Sequence, residues 1–188
     1  MTKGRTFGDT WRGSAVISAC EKYRYLLERI APGSIGRRVV WIMLNPSTAD
    51  AEKNDNTVRR CMAYTAAWGY DALAVVNLYG YRTSSPAVLR KVFLEHVVGP
   101  QNDSYVRAAV RGAGLVIAAW GSPGPMTQRR WDVLRIAHEE RAKLHVLRFN
   151  QPQDATLTRE PGHPLRLSKD LQPIPWDYLP NDGPGAGG

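Results

Sequence analysis

The sequence predicts an α/β fold: a three-layer α/β/α sandwich around a central, mostly parallel four-stranded sheet. Two patterns carry this. Four short, mostly apolar runs, Val39–Leu44, Ala72–Leu78, Leu115–Ala119 and Leu144–Phe149, have the length of buried strands. Segments of helical periodicity lie between them, so strand and helix alternate as they do where helices pack on a parallel sheet. A chain of 188 residues with 43% hydrophobic residues suits one domain with a packed core.

Taken in order, residues 1–13 read as a flexible lead-in, 14–180 as the domain and 181–188 as a disordered Gly/Pro tail. Between Ser14 and Ile30 two periods compete. Tyr23, Tyr25 and Leu27 alternate as on a strand, while Cys20, Tyr23, Leu27 and Ile30 fit one helical face. A strand pair is the preferred reading, and Gly33 and Gly36 end it. Thr57–Trp68 reads as a helix capped by Asn56 or Thr57 and stopped by Gly69. Tyr79–Pro86 reads as a loop, and Leu89–Leu94, Asp103–Arg111 and Thr127–Arg141 as further helices. Ligands of such sheets bind beyond the carboxyl ends of the strands. Attention therefore falls on Asn45-Pro46-Ser47, Asn77-Leu78-Tyr79, Trp120-Gly121 and the segment reaching His163-Pro164.

The formal net charge of +8 points to a polyanionic partner, most simply nucleic acid, although dispersed charge also serves solubility. No long Lys/Arg run marks a basic tail, so a folded surface must gather the charge. Only two cysteines occur, Cys20 and Cys61, with no CxxC pair, which argues against a zinc site or a disulfide framework. No secretion signal is evident, and no apolar run reaches the roughly 20 residues of a membrane helix. The expectation is a cytoplasmic monomer with no membrane partner, metal or cofactor.

In this order the strand ends resemble the motifs of the uracil-DNA glycosylase superfamily. Leu44-Asn45-Pro46-Ser47 is similar to its G-x-[DN]-P motif, with Leu44 where glycine often sits. Val75-Val76-Asn77-Leu78 resembles the strand whose final Asn reads the base, and Val116–Gly121 the strand ending in Trp-Gly. Gly162-His163-Pro164-Leu165-Arg166-Leu167-Ser168 resembles the late His-Pro-Ser motif, with Leu165 in place of Ser. Most of the chain is also similar to a bacterial and phage family of unassigned function. That family shares LNPSTAD, a DNxTxRRC-like segment, WGY, VNL, VGPxND, AWG and HPL; here these are Leu44–Asp50, Asp55–Cys61, Trp68–Tyr70, Asn77, Val98–Asp103, Trp120 and His163.

The resemblance implies a glycosylase-like fold and a monofunctional enzyme that flips a base out of DNA and hydrolyses its N-glycosidic bond. His163 would donate to the O2 of the departing pyrimidine, where negative charge gathers. From spacing alone, His163 reads as a loop histidine beside Pro164. Asn77 would read the base edge; equally, an Asn here caps the strand end. Asn45 stands where some members carry a water-activating Asp. It cannot act as a base near neutral pH but can hold a water. Asp50, Glu52 or Asp55 would supply a carboxylate; alternatively, Asp50 and Asp55 cap turns and the next helix. Ser47, Tyr79, Tyr81 and Trp120 are base-binding candidates, while Trp41 and Trp68 read as core. Arg59, Arg82, Arg166 and Lys169 are candidates for DNA phosphates, with Arg60 beside Arg59. Alternatively, Arg59 and Arg60 form one solvated helix face.

The departures at Asn45 and Leu165, with a long polar loop at Tyr79–Pro86, point to a modified pyrimidine such as glucosylated hydroxymethylcytosine in phage DNA, and so to defence. Uracil excision in repair, a small-molecule nucleoside N-glycosidase, a non-catalytic DNA-binding module and a structural or regulatory domain remain alternatives.

Overall fold

The computed structural model describes residues 10–92, 94–122, 129–150 and 160–178. Strand β1 (Arg12–Ile17) and β2 (Arg24–Ile30) form an antiparallel pair, and β3 (Arg38–Met43) follows. Helix α1 (Asn56–Ala67) connects β3 to β4 (Ala72–Asn77). Three short helices, α2 (Pro86–Lys91), α3 (Leu94–Val98) and α4 (Asn102–Val110), lead to β5 (Leu115–Ala118). Helix α5 (Arg129–Glu139), β6 (Leu144–Val146), a 3-10 turn at Pro164–Arg166 and β7 (Ile174–Pro175) complete the order.

The α/β class holds, but a four-stranded sheet does not form. The sheet has seven strands in the order β1-β2-β4-β3-β5-β6-β7. Pairing is parallel from β4 through β3 and β5 to β6, and antiparallel where β1, β2 and β7 extend it on either side. The ambiguous stretch after Ser14 is the strand pair. The seventh strand escapes pattern reading because it is two exposed residues, one of them proline.

Alternation along β3 builds two cores. Val40 and Ile42 face Val106, Val133, Leu134 and Ala137 of α4 and α5. Val39, Trp41 and Met43 face Val58, Cys61 and Met62 of α1. Helices thus cover both faces, which is why β3 is apolar and buried from Val39 to Met43. The N-cap of α1 is Asp55, one residue before the predicted Asn56 and two before Thr57; its side chain accepts from the Val58 N–H at 2.8 Å.

The lead-in at 1–9 and the tail at 181–188 lie outside the described residues, but Arg12 and Gly13 of the expected lead-in belong to β1. No helix of the described residues is long and apolar enough to cross a membrane.

Inside the second core, Trp41 Nε1 donates to Thr65 Oγ1 at 3.1 Å, with both residues fully buried. Thr65→Val keeps the shape and orphans the indole N–H. The expected cost is about 1–3 kcal/mol, the usual penalty for an unsatisfied buried donor. A urea midpoint that falls with an unchanged slope confirms it; an unchanged midpoint contradicts it.

Candidate functional site

The connections define where a ligand sits. The chain leaves β3 towards α1 on one face and leaves its neighbours β4 and β5 towards α2 and α5 on the other. Divergent exits open a crevice at the carboxyl ends of the strands. A cleft of about 390 Å³ occupies this place. That is at the lower end of the roughly 300–1,000 Å³ of small-molecule sites.

Of the residues singled out in the sequence, Asn45, Ser47, Asp55, Asn77, Trp120, His163 and Arg166 all line this cleft. Asn77 ends β4 and is 1% exposed, yet neither Nδ2 nor Oδ1 of its side chain has a partner among the described residues. Its backbone is firmly held. Asn102 Nδ2 donates to the carbonyls of Asn77 and Leu78 at 3.0 and 3.2 Å, and Arg129 Nε donates to Leu78 O at 3.0 Å. The carboxamide therefore does not cap the strand end; Asn102, absent from the sequence-based candidates, does that work.

Asn45 spends Nδ2 on the carbonyls of Pro46 (3.0 Å) and Thr83 (2.7 Å). This fixes the amide orientation and leaves Oδ1 as its accepting end.

Three constraints bring His163 to the cleft. Gly162 N–H donates to Arg148 O and Asn150 N–H to Glu160 O, pinning the segment beside the end of β6. Gly121 N–H donates to Pro161 O. Gly121 has φ +80, a backbone conformation that favours glycine, and this turn brings it against His163, whose Cβ would lie 3.4 Å from a side chain added there. His163 Nδ1 accepts from Leu165 N–H at 3.4 Å, so the neutral ring carries its proton on Nε2. Burial pushes its pKa below the ordinary value and the Arg166 cation pushes the same way, against the pull of Asp55.

Trp120 is 2% exposed, and its Nε1 donates to Glu160 Oε2 at 2.8 Å. Glu160 also pairs with Arg130 inside the protein. Trp120 thus borders the cleft as a fixed wall, packed on its far side against Trp176.

Other candidates sit elsewhere. Asp50 accepts from the backbone N–H groups of Lys53 and Glu52, which hold its carboxyl below the usual range; it caps a turn outside the cleft. Tyr79 is fully buried in the core under α4 and α5, and burial pushes its phenol up to about 12, so it offers no stacking face. Tyr81 is half-buried and edges onto Tyr23. Arg59 is exposed on α1 beside a separate depression bordered by Arg29, and Lys169 is exposed beyond the 3-10 turn. Arg82 Nη1 donates to Glu21 O, with its neighbours Thr83 and Ser84 in the cleft wall. Trp41 lies in the core as expected, and Trp68, partly buried, stacks on it from the core's edge.

Arg24 and Cys61 also line the cleft and were not expected there. Cys61 is fully buried, and burial pushes its thiol well up, so it is an inert wall. Among the described residues no cluster of three His, Cys, Asp or Glu side chains is arranged to hold a metal.

Because the folded-state pKa of His163 lies below its unfolded value of about 6.5, the unfolded chain binds more protons in that window. Stability from this residue is present above pH 6.5 and is lost as pH falls through the folded pKa. Imidazole NMR signals should show an Nε2–H tautomer at pH 7 and a midpoint below 6.5. His163→Gln should remove that part of the acid destabilisation; a midpoint above 6.5 contradicts the assignment.

No curated protein and no solved structure matches the chain. A family model described as "Protein of unknown function (DUF1643)" matches residues 24–165, a span that holds Arg24, Asn45, Asp55, Asn77, Trp120 and His163. The chain belongs to the DUF1643 family.

Proposed function

We propose that the protein is a DNA glycosylase of uracil-DNA glycosylase-like fold that flips out a pyrimidine base and hydrolyses its N-glycosidic bond. The observation that carries this reading is the buried carboxamide of Asn77, unpartnered at the edge of the cleft. A buried amide costs stability unless something bonds it. The edge of a flipped cytosine offers the matching acceptor and donor, and a rotated amide matches uracil.

The remaining groups fit the charge changes of the reaction. As the bond between base and C1′ breaks, its electron pair leaves with the base and negative charge gathers on O2. His163 Nε2–H, uncharged at pH 7, donates there. Positive charge develops on the sugar, where the Asp55 carboxylate opposes it; one of its oxygens is engaged at Val58 N–H and the other is not so used. Asn45 Oδ1 accepts from a water that adds to C1′, and the water's proton passes to solvent or the departing base. The net charge of +8 supports attraction to DNA, with Arg166 at the cleft rim.

A modified pyrimidine is the favoured substrate. Leu165 and Arg166 stand at the open rim, where a substituted base has room to project. Glucosylated hydroxymethylcytosine of phage DNA is the first candidate, and a role in phage defence follows from it.

The test is base release, read by mass spectrometry, from uracil-containing DNA, unmodified DNA and phage DNA bearing glucosylated hydroxymethylcytosine. The expected result is release of one pyrimidine, slowed about 10²–10³-fold by His163→Ala, as when one donor to a developing anion is lost. No release from any of the three, or release that His163→Ala leaves untouched, defeats the reading.

A further inference from the structure

Four arginines are buried in the described residues, and three of them have a carboxylate or several carbonyl partners. Arg29 donates to Asn54 Oδ1 and to the carbonyls of Glu28, Asp50 and Lys53. Arg129 bonds Leu78 O and pairs with Asp103 and Asp132, and Arg130 pairs with Glu160. Arg24 differs. It is 3% exposed and lines the cleft beside Asn77 and Asp55, but it makes one hydrogen bond, from Nη1 to Ala49 O at 2.6 Å. Its Nε is buried without a partner, and among the described residues no carboxylate pairs with it.

The position follows from the sheet. β2 runs antiparallel to β4, with Leu27 opposite Val75, so the start of β2 lies beside the end of β4. Arg24 N–H donates to Gly80 O, just beyond Asn77. The bond to Ala49 O ties the guanidinium to the loop that follows β3, which keeps the side chain in the cleft wall.

We propose that Arg24 seats a phosphate of the same nucleotide whose base meets Asn77, so that the cleft selects nucleotides over bare nucleosides. The inference rests on the reading that a base occupies the cleft. With Nη1 committed to Ala49, the edge formed by Nε and Nη2 is left, and that edge is the fork that binds two oxygens of one phosphate. Burial brings the Arg24 pKa down to about 10, so the group remains a cation at neutral pH. The charges that act on it are Asp55 and Asp50 on one side and Arg82 and Arg29 on the other. Counting Arg24 itself, cations exceed carboxylates, and a phosphate redresses the balance. No carboxylate among the described residues is hydrogen-bonded to Arg24, and a buried charge without a bonded counterion is costly, which suits a group that a ligand completes.

The experiment measures binding, so it is independent of base release. Probes are deoxycytidine, its 5′- and 3′-monophosphates, and single-stranded oligonucleotides with or without a neutral methylphosphonate next to one cytidine. The wild type is expected to bind one monophosphate at least tenfold more tightly than deoxycytidine. Arg24→Gln should erase that preference and Arg24→Lys should retain part of it. The matching methylphosphonate should weaken oligonucleotide binding by a similar factor, which separates a DNA phosphate from that of a free nucleotide and needs no variant protein. Should Arg24→Gln fail to fold, the methylphosphonate arm decides. Equal affinity for nucleoside and both monophosphates, a preference that survives in Arg24→Gln, or no binding of any nucleotide overturns the proposal. Phosphate-dependent binding without release of any base overturns the glycosylase reading alone.

Discussion

Strand β3 is hydrogen-bonded on both edges, to β4 and β5, and covered on both faces by helices. Such a strand gives the chain no lateral exit, so Leu44–Ser47 must emerge at its carboxyl end. The chain then turns to α1 on one face, whereas β4 and β5 feed helices on the other. The cleft is the gap that this divergence leaves, and its polar residues are those at which each strand runs out. Asn45, Asn77 and Trp120-Gly121 are therefore placed by backbone pairing, and His163 by its backbone contacts with the end of β6.

Within this frame the protein divides its buried polar groups into two sets. One set is bonded into the fold: Arg29 around the 50–54 turn, Arg130 and Glu160 behind Trp120, and Arg129 under the end of β4. These groups hold the walls rigid. The other set is left incomplete among the described residues: Arg82 Nε, Asn102 Oδ1 and His145 Nδ1 away from the cleft lining, and, in residues that line it, Arg24 Nε and the Asn77 carboxamide. Natural folds satisfy most buried polar atoms, and exceptions gather where a ligand completes them. Asn77 stands apart among them, because both polar atoms of its side chain lack a partner and it borders the cleft.

Much of this was legible in the sequence where one physical signal dominated. Strands buried on both faces leave continuous apolar runs, so β3, β4 and β5 are readable, as are the polar residues at their ends; β6 is readable from Leu144 and Val146 on either side of His145. The β1–β2 pair was readable only as one of two periods, because a strand at the sheet margin carries polar residues such as Arg24 and Glu28. The two-residue β7 left no pattern at all. Among site residues, Tyr79 misled because sequence adjacency to Asn77 says nothing about the helices that bury it. Asp50 and Asp55 were alike on paper; only the turn at Glu52–Lys53 and the cap at Val58 tell them apart. Arg24 was missed because an arginine beginning a strand reads as solvated, and burial cannot be seen in one sequence. Asn102 was missed for a similar reason: its role is a pair of bonds to backbone 24 and 25 residues away.

The central claim is that Asn77 keeps an unsatisfied carboxamide for a ligand and not for the fold. Thermal and urea unfolding of Asn77→Leu, which is nearly isosteric and apolar, tests it most directly. If the amide serves a ligand, the free protein should be as stable as wild type or more so, because a buried polar group without partners has been replaced by an apolar one. A loss of stability like that of a broken buried hydrogen-bond network would show that the carboxamide holds the strand end together, and would contradict the account.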